Sequence, residues 1–115
     1  MNELEMIRGT TQAIGVVILN EDGTEHTPQT GETVRFGMKH DPKASTYSLI
    51  KTGEYDSEQG CYVFEFSPSD TSSLTSAIYG EPYWYDVSVQ TSGGELYNVI
   101  EPSLLLMFTN ITGVS

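Results

Sequence analysis

The sequence predicts an all-β fold: an antiparallel sandwich or barrel of about seven to nine strands with one short helical turn. Three observations predict it. Apolar residues recur at every second position in several segments, the period of a half-buried strand. Alanine is scarce (Ala13, Ala44, Ala77), while Thr, Tyr, Val and Ile are common, which favours strands over helices. Turn residues separate the alternating segments at short spacing.

The elements follow in chain order. A first strand is expected near 4–8. In 13–19, Ile14, Val16 and Ile18 share one face, but Val17 and Leu19 make the other face apolar too, so this strand is expected to be central or covered on both sides. Asn20-Glu21-Asp22-Gly23 closes it. After Thr30-Gly31-Glu32 comes 33–39, with Val34, Phe36 and Met38 opposite Arg35 and Lys39; His40-Asp41-Pro42 ends it. A strand near 47–51 follows. Gly53–Gln59 is acidic and polar and reads as a mobile tip. In 61–66, Tyr62, Phe64 and Phe66 oppose Cys61, Val63 and Glu65. Ser67-Pro68-Ser69-Asp70 carries an N-cap residue, a proline at the first helical position and an acid three residues after the cap, so one helical turn should run to about Leu74. The loop 75–82 is loose. Strand 83–90 places Tyr83, Tyr85, Val87 and Val89 on one face and Trp84, Asp86, Ser88 and Gln90 on the other. Ser92-Gly93-Gly94 turns it into 95–100 as a hairpin, and 104–109 forms a last strand with apolar residues on both faces.

The 115 residues fit one domain, 1–115, and a chain of this length buries enough surface to fold without staples. The charge is −11, from 16 acids and 5 bases, scattered along the chain. That balance argues against nucleic acid and against an anionic membrane as partner, since both need clustered Lys and Arg. Cys61 has no second cysteine, which fits a reducing place of synthesis. The start, MNELEMIRGT, does not have the apolar run of a signal peptide, so Asn110-Ile111-Thr112 is read as a chance sequon.

Few residues stand in a pattern that chemistry needs. Cys61 falls on a strand beside Val63 and reads as a small apolar residue, with nothing to bring His26 or His40 to it. His40-Asp41 are adjacent and do not converge readily on one ion, and Asp22-Gly23 opens like a calcium loop without its downstream ligands. Neither a GxGxxG nor a P-loop occurs. The expectation is no enzyme, no catalytic residue, no metal and no cofactor.

What remains is surface. Trp84 shares its face with polar residues and is expected near the rim of the sandwich, partly covered. Three roles stay open for it: packing under a loop or terminal strand, contact with another protein chain, or stacking on a sugar. Trp84 and Tyr97 are the candidate partner-binding residues, as one aromatic patch.

The fragments EMIRGTTQ, NEDGT, GETVRFGMKHDP, LIKTGEYDSEQGCYVFEFSPSDTSSL, YWYDVSVQTSGGELYNVI and TNIT, in order and spacing, resemble a group of short proteins encoded in phages and prophages of Gram-positive bacteria. The group is similar to immunoglobulin-like β-sandwiches of virion or tail type and to N-terminal modules of baseplate upper proteins. The resemblance spans about residues 4–112 and its motifs are structural. Thr10 stands where the group usually has Asp, and Gly80 precedes Tyr83 by one residue more than usual, with Pro82 in the gap, which suggests a kinked corner. The resemblance implies an immunoglobulin-like sandwich and a virion structural module. Such a module would be assembled in the host cytoplasm and would bind other virion proteins or copies of itself. A carbohydrate-binding module acting through Trp84 and tyrosines is the alternative. The fold implies in turn that Leu74 plugs one end and that one of Tyr83 and Tyr85, Tyr83 before Tyr85, sets its hydroxyl on a carbonyl near the helical turn, as in a tyrosine corner.

Overall fold

A computed structural model describes residues 3–110; Ile111 and Thr112 of the sequon-like triplet lie outside them. Eight strands and one helical turn form two packed sheets. In chain order they are β1 (Leu4–Ile7), β2 (Gln12–Val16), β3 (Thr33–Lys39), β4 (Leu49–Thr52), β5 (Glu54–Asp56), β6 (Cys61–Phe66), α1 (Pro68–Thr71), β7 (Glu81–Gln90) and β8 (Leu96–Phe108). The five-stranded sheet has the order β1-β8-β7-β3-β4 and the three-stranded sheet β2-β6-β5. Taking β2 to β8 as the strands usually lettered B, C, C′, D, E, F and G gives the immunoglobulin arrangement, with B-E-D facing G-F-C-C′. The fold is an all-β, immunoglobulin-like sandwich. One pairing departs from the antiparallel expectation: β1 runs parallel to β8, Leu4 beside Leu105 and Ile7 beside Phe108.

The inward faces are those that the alternation marks. Val34, Phe36 and Met38 of β3, Tyr62, Phe64 and Phe66 of β6, and Tyr83, Tyr85, Val87 and Val89 of β7 are all buried. Their rings interlock across the sandwich. Phe36 stacks on Tyr85 at 5.4 Å, meets Phe66 edge-on at 5.5 Å and lies tilted on Phe64 at 5.8 Å. Aromatic rings gain from offset and edge contacts beyond the area they bury, so this cluster serves as the pin between the sheets.

One pole of the sandwich is tied by polar contacts. The Ser67 N–H donates to the Asp70 carboxylate at 2.7 Å, which holds the start of α1. The hydroxyl of Thr71, wholly buried, accepts from the Gly9 N–H at 2.8 Å and fixes the β1–β2 corner, where Gly9 has φ 74°. Arg8 donates to the Ser72 carbonyl at 2.5 Å. Tyr83 donates its hydroxyl to the Thr75 carbonyl at 2.8 Å, the expected tyrosine corner, and Leu74 packs against the core beside it. A buried phenol needs such an acceptor.

Four local expectations are corrected. Strand β2 stops at Val16 and is an edge strand, not one covered on both faces; Val17 and Leu19 are half or more exposed because the chain peels away to a single bridge between Leu19 and Glu25. Gly53–Gln59 is not a loose tip, since β5 pairs with β6 and Tyr55 packs edge-on to Tyr62 at 5.1 Å. The segments 95–100 and 104–109 are one strand, β8, that passes through Pro102 with irregular register opposite Tyr85, Val87 and Ser88. The corner before Tyr83 is not kinked at Pro82: β7 begins at Glu81 and Pro82 lies in the ladder opposite Leu106.

Candidate functional site

The outer face of the five-stranded sheet is where the chain offers contacts. Residues directly opposite in an antiparallel pair share a face. Trp84 stands opposite Lys39 on one side and Leu104 on the other, and Asp86 stands opposite Gly37, which stands opposite Ile50. All of these point away from the core. Trp84 is 39% exposed and Ile50 52%, so the face keeps apolar surface in reach of solvent. Arg35 lies on it too, one pleat along from Gly37, so two of the five bases sit here.

A shallow hollow opens beside the indole, between Trp84, Tyr47, Asp86, Pro42 and Pro102. Its shape depends on Gly37. The Tyr47 ring lies flat on that backbone, and a Cβ at Gly37 would fall 2.5 Å from Tyr47 Cε1. Glycine inside a strand commonly marks such an approach. The Lys39 ammonium sits 4.8 Å from the Tyr47 ring centre and donates to the Ala44 carbonyl at 2.6 Å, so it holds the 41–47 loop down as well as capping the ring. Burial pushes the Asp86 carboxyl above its ordinary range, and Lys39 pulls it partly back. The hollow thus combines two aromatic surfaces, a carboxylate with reduced appetite for charge and an ammonium.

The expectation for β7 holds in part: Tyr85 is buried and Trp84 is partly covered, but Trp84 stands on the middle strand of the five-stranded sheet, between Lys39 and Leu104, and not at the rim of the sandwich. The single aromatic patch does not hold. Tyr97 stands opposite Val89, an inward residue, at the far end of the strand, so it lies on the inner side of the sheet while Trp84 lies on the outer side. Tyr97 is 53% exposed, beside a groove that it lines with Val16, Ile18 and Val89, and its hydroxyl donates to Glu95 at 3.0 Å. Sequence reasoning missed Tyr47, which has no strand pattern to mark its direction. The isolated Gly37 within an apolar strand was the available signal for it.

The remaining chemical candidates lie outside this hollow. Cys61 is buried, its thiol 3.8 Å from the Gln59 amide oxygen. His26 contacts Glu32 at 2.9 Å, and Glu32 also accepts from Tyr62, whose pKa is pushed up to about 12 by burial and by that carboxylate. His40 contacts Glu81 at 2.6 Å and stacks on Tyr83 at 4.5 Å. The Asp22 carboxylate accepts from the Thr24 hydroxyl and N–H, a closed turn of its own. Among the described residues no group of three His, Cys, Asp or Glu side chains is placed to hold a metal ion.

No protein-family model matches the chain, and a search of curated proteins finds no relative. Among solved structures, one of murine CRIg aligns over 96% of this chain and 93% of that chain, at 9% identity and a TM-score of 0.40. That likeness is too slight to argue from, and the assignment to the immunoglobulin-like sandwiches rests on the chain's own strand order.

Proposed function

We propose that the chain is a non-enzymatic structural or assembly module of a phage or prophage virion, assembled in the host cytoplasm, and that it binds neighbouring virion proteins or copies of itself through the outer face around Trp84. The observation that carries the contact is the polarity of the sandwich. The five-stranded face presents Trp84 and Ile50 among charges of both signs, Arg35 and Lys39 with Glu5 and Asp86. The opposite outer face, on β5 and β6, presents Glu54, Asp56 and Glu65 around Val63. A front that carries bases and an apolar anchor and a back that carries acids around Val63 suit a head-to-tail contact, in which the front of one copy or homologue meets the back of the next. The virion setting rests on the sequence resemblance.

Sedimentation of the purified chain tests the contact. The expected result is concentration-dependent association that weakens with salt. Trp84→Ser should loosen it by about 2 kcal/mol or more, as for a central aromatic anchor. The same substitution should leave folding stability within about 1–2 kcal/mol of the parent in a denaturant melt. A variant that unfolds while association of its folded fraction is unchanged would make Trp84 a core residue and overturn the reading. The sugar-binding alternative is favoured by the hollow itself, where two rings stand beside a carboxylate and an ammonium. It predicts a monomer that is retarded on a cell-wall polysaccharide gel and released by Trp84→Ser.

A further inference from the structure

Strand β8 has two neighbours only at its C-terminal end. β1 meets Leu105–Phe108, whereas among the described residues 96–104 is flanked by β7 alone. In an antiparallel ladder every second residue turns its N–H and C=O away from the partner strand, so this stretch presents a row of backbone donors and acceptors on its open side, interrupted at Pro102, which has no N–H. The edge strands themselves are short: four residues in β1, four in β4, three in β5 and five in β2. Short edges are the usual protection against further pairing. The open side of β8 is the long one.

Its side chains invite pairing too. Leu96-Tyr97-Asn98-Val99-Ile100 holds neither charge nor proline and is rich in strand-forming residues. Leu96, Tyr97 and Val99 are 64%, 53% and 38% exposed. Between this stretch and residues 17–19, where the chain peels off β2, runs a groove with Val16, Ile18 and Val89 along its floor and Val17 and Leu19 on its far wall. An added strand would find backbone partners on β8 and an apolar seat for every second side chain.

Charge selects the occupant. Glu95 and Glu101 bracket the stretch, Glu21 and Glu32 line the groove, and no Lys or Arg does. A second copy fits badly. Two-fold antiparallel pairing centred on Asn98 would set Leu96 against Ile100, but it would also set Glu95 directly against Glu101 twice, and like charges directly opposite destabilise a ladder. We propose that the open side of β8, from Leu96 to Ser103, is a strand-addition site for an extended segment of a different protein, one with alternating apolar residues flanked by Lys or Arg. This site lies apart from the Trp84 face and does not depend on it.

A labelled nine-residue peptide with Lys at both ends and alternating Val and Thr between them is the probe. Fluorescence anisotropy should show saturable binding, and amide hydrogen exchange should slow at 96–103. Glu at both ends of the peptide should weaken binding by about tenfold or more, and the double variant Glu95→Lys, Glu101→Lys should reverse that preference. Both glutamates are exposed, so the variant keeps the fold. A peptide N-methylated at alternate residues should not bind, and Trp84→Ser should bind the probe as the parent does. Three results would overturn the proposal: no slowing of exchange at 96–103 at millimolar peptide, equal binding of the N-methylated peptide, or protection of 96–103 that rises with protein concentration alone, which would make the occupant a second copy.

Discussion

Asp70 and Asp86 respond to acid in opposite ways. The carboxyl of Asp70 is held below its ordinary 3.8, first by the Lys51 ammonium at 2.9 Å and then by the Ser67 N–H and hydroxyl. Its folded pKa lies below the unfolded one, so it stabilises the fold above 3.8 and that contribution fades as pH falls through the folded value. Burial raises Asp86 instead, so its cost is absent below 3.8 and grows as pH rises through the folded value. Asp70→Asn should therefore lower the neutral-pH stability by about 0.5–1 kcal/mol, a modest figure for a pair in partial contact with water. Asp86→Asn should raise the neutral-pH melting temperature. Melting curves between pH 3 and 7 should show both differences shrinking toward acid. The hydroxyl of Tyr83 gives a pH-independent test of the same scale. Tyr83→Phe keeps the buried ring but orphans the Thr75 carbonyl, and should cost about 1–2 kcal/mol in urea melts. That bond was legible in the sequence, because Tyr83 falls on the inward period of its strand a few residues after a capped turn. Tyr47, with no period around it, was not.

At the level of elements, alternation was a good guide wherever one face meets the core. β3, β6 and β7 lie where Val34-x-Phe36-x-Met38, Tyr62-x-Phe64-x-Phe66 and Tyr83-x-Tyr85-x-Val87 place them. It failed where a second rule interfered. β5 is three residues long, and its one inward residue, Tyr55, is too little to register as a period. Glu101-Pro102 looks like punctuation, yet β8 continues through it because the register irregularity opposite Tyr85–Ser88 takes up the misfit. Val17 and Leu19 suggested a strand buried on both faces, when in fact they wall a groove at an edge. β3 also offers a test of the strand as a platform. Gly37→Ala would drive a methyl into the Tyr47 ring, and the ring must lift. The expected cost is about 1–3 kcal/mol, the usual range for an added methyl in a packed site. The 41–47 loop should exchange amide hydrogens faster, and Trp84 fluorescence should shift as the hollow opens.

For the whole molecule, the sequence alone left sandwich and barrel both open, and the pairing that separates them joins residues about a hundred positions apart. Nothing local to Leu4-Glu5-Met6-Ile7 says that it leaves the smaller sheet to lie parallel to the last strand. The placing of Trp84 and Tyr97 on opposite sides of one sheet was hidden for a related reason: it depends on the register between β7 and β8, which slips twice along the hairpin. The contact face was legible as a polar-sided tryptophan, and the difference in charge between the two outer faces was not, because it arises only when Arg35 and Lys39, beside Glu5 and Asp86 on one sheet, are set back to back with Glu54 and Glu65 on the other.

The parallel seam between β1 and β8 also determines how the molecule answers a pull. Tension applied before Leu4 and after Phe108 draws the two strands along each other in opposite directions, so the ladder from Leu4–Leu105 to Ile7–Phe108 is loaded in shear. Its bonds must fail together, where an antiparallel hairpin pulled from its open end unzips one bond at a time. The buried Met6 and Met107 side chains, side by side in that seam, add their packing to the resistance. Single-molecule stretching from the two ends should show one high-force rupture per module. Glu5→Pro, which removes an N–H and crowds the seam, should lower that force markedly while β6 and β7 keep their pairing. A domain closed in this manner is a stiff link: it carries load between whatever holds its first strand and whatever holds its last, and gives way only in a single step.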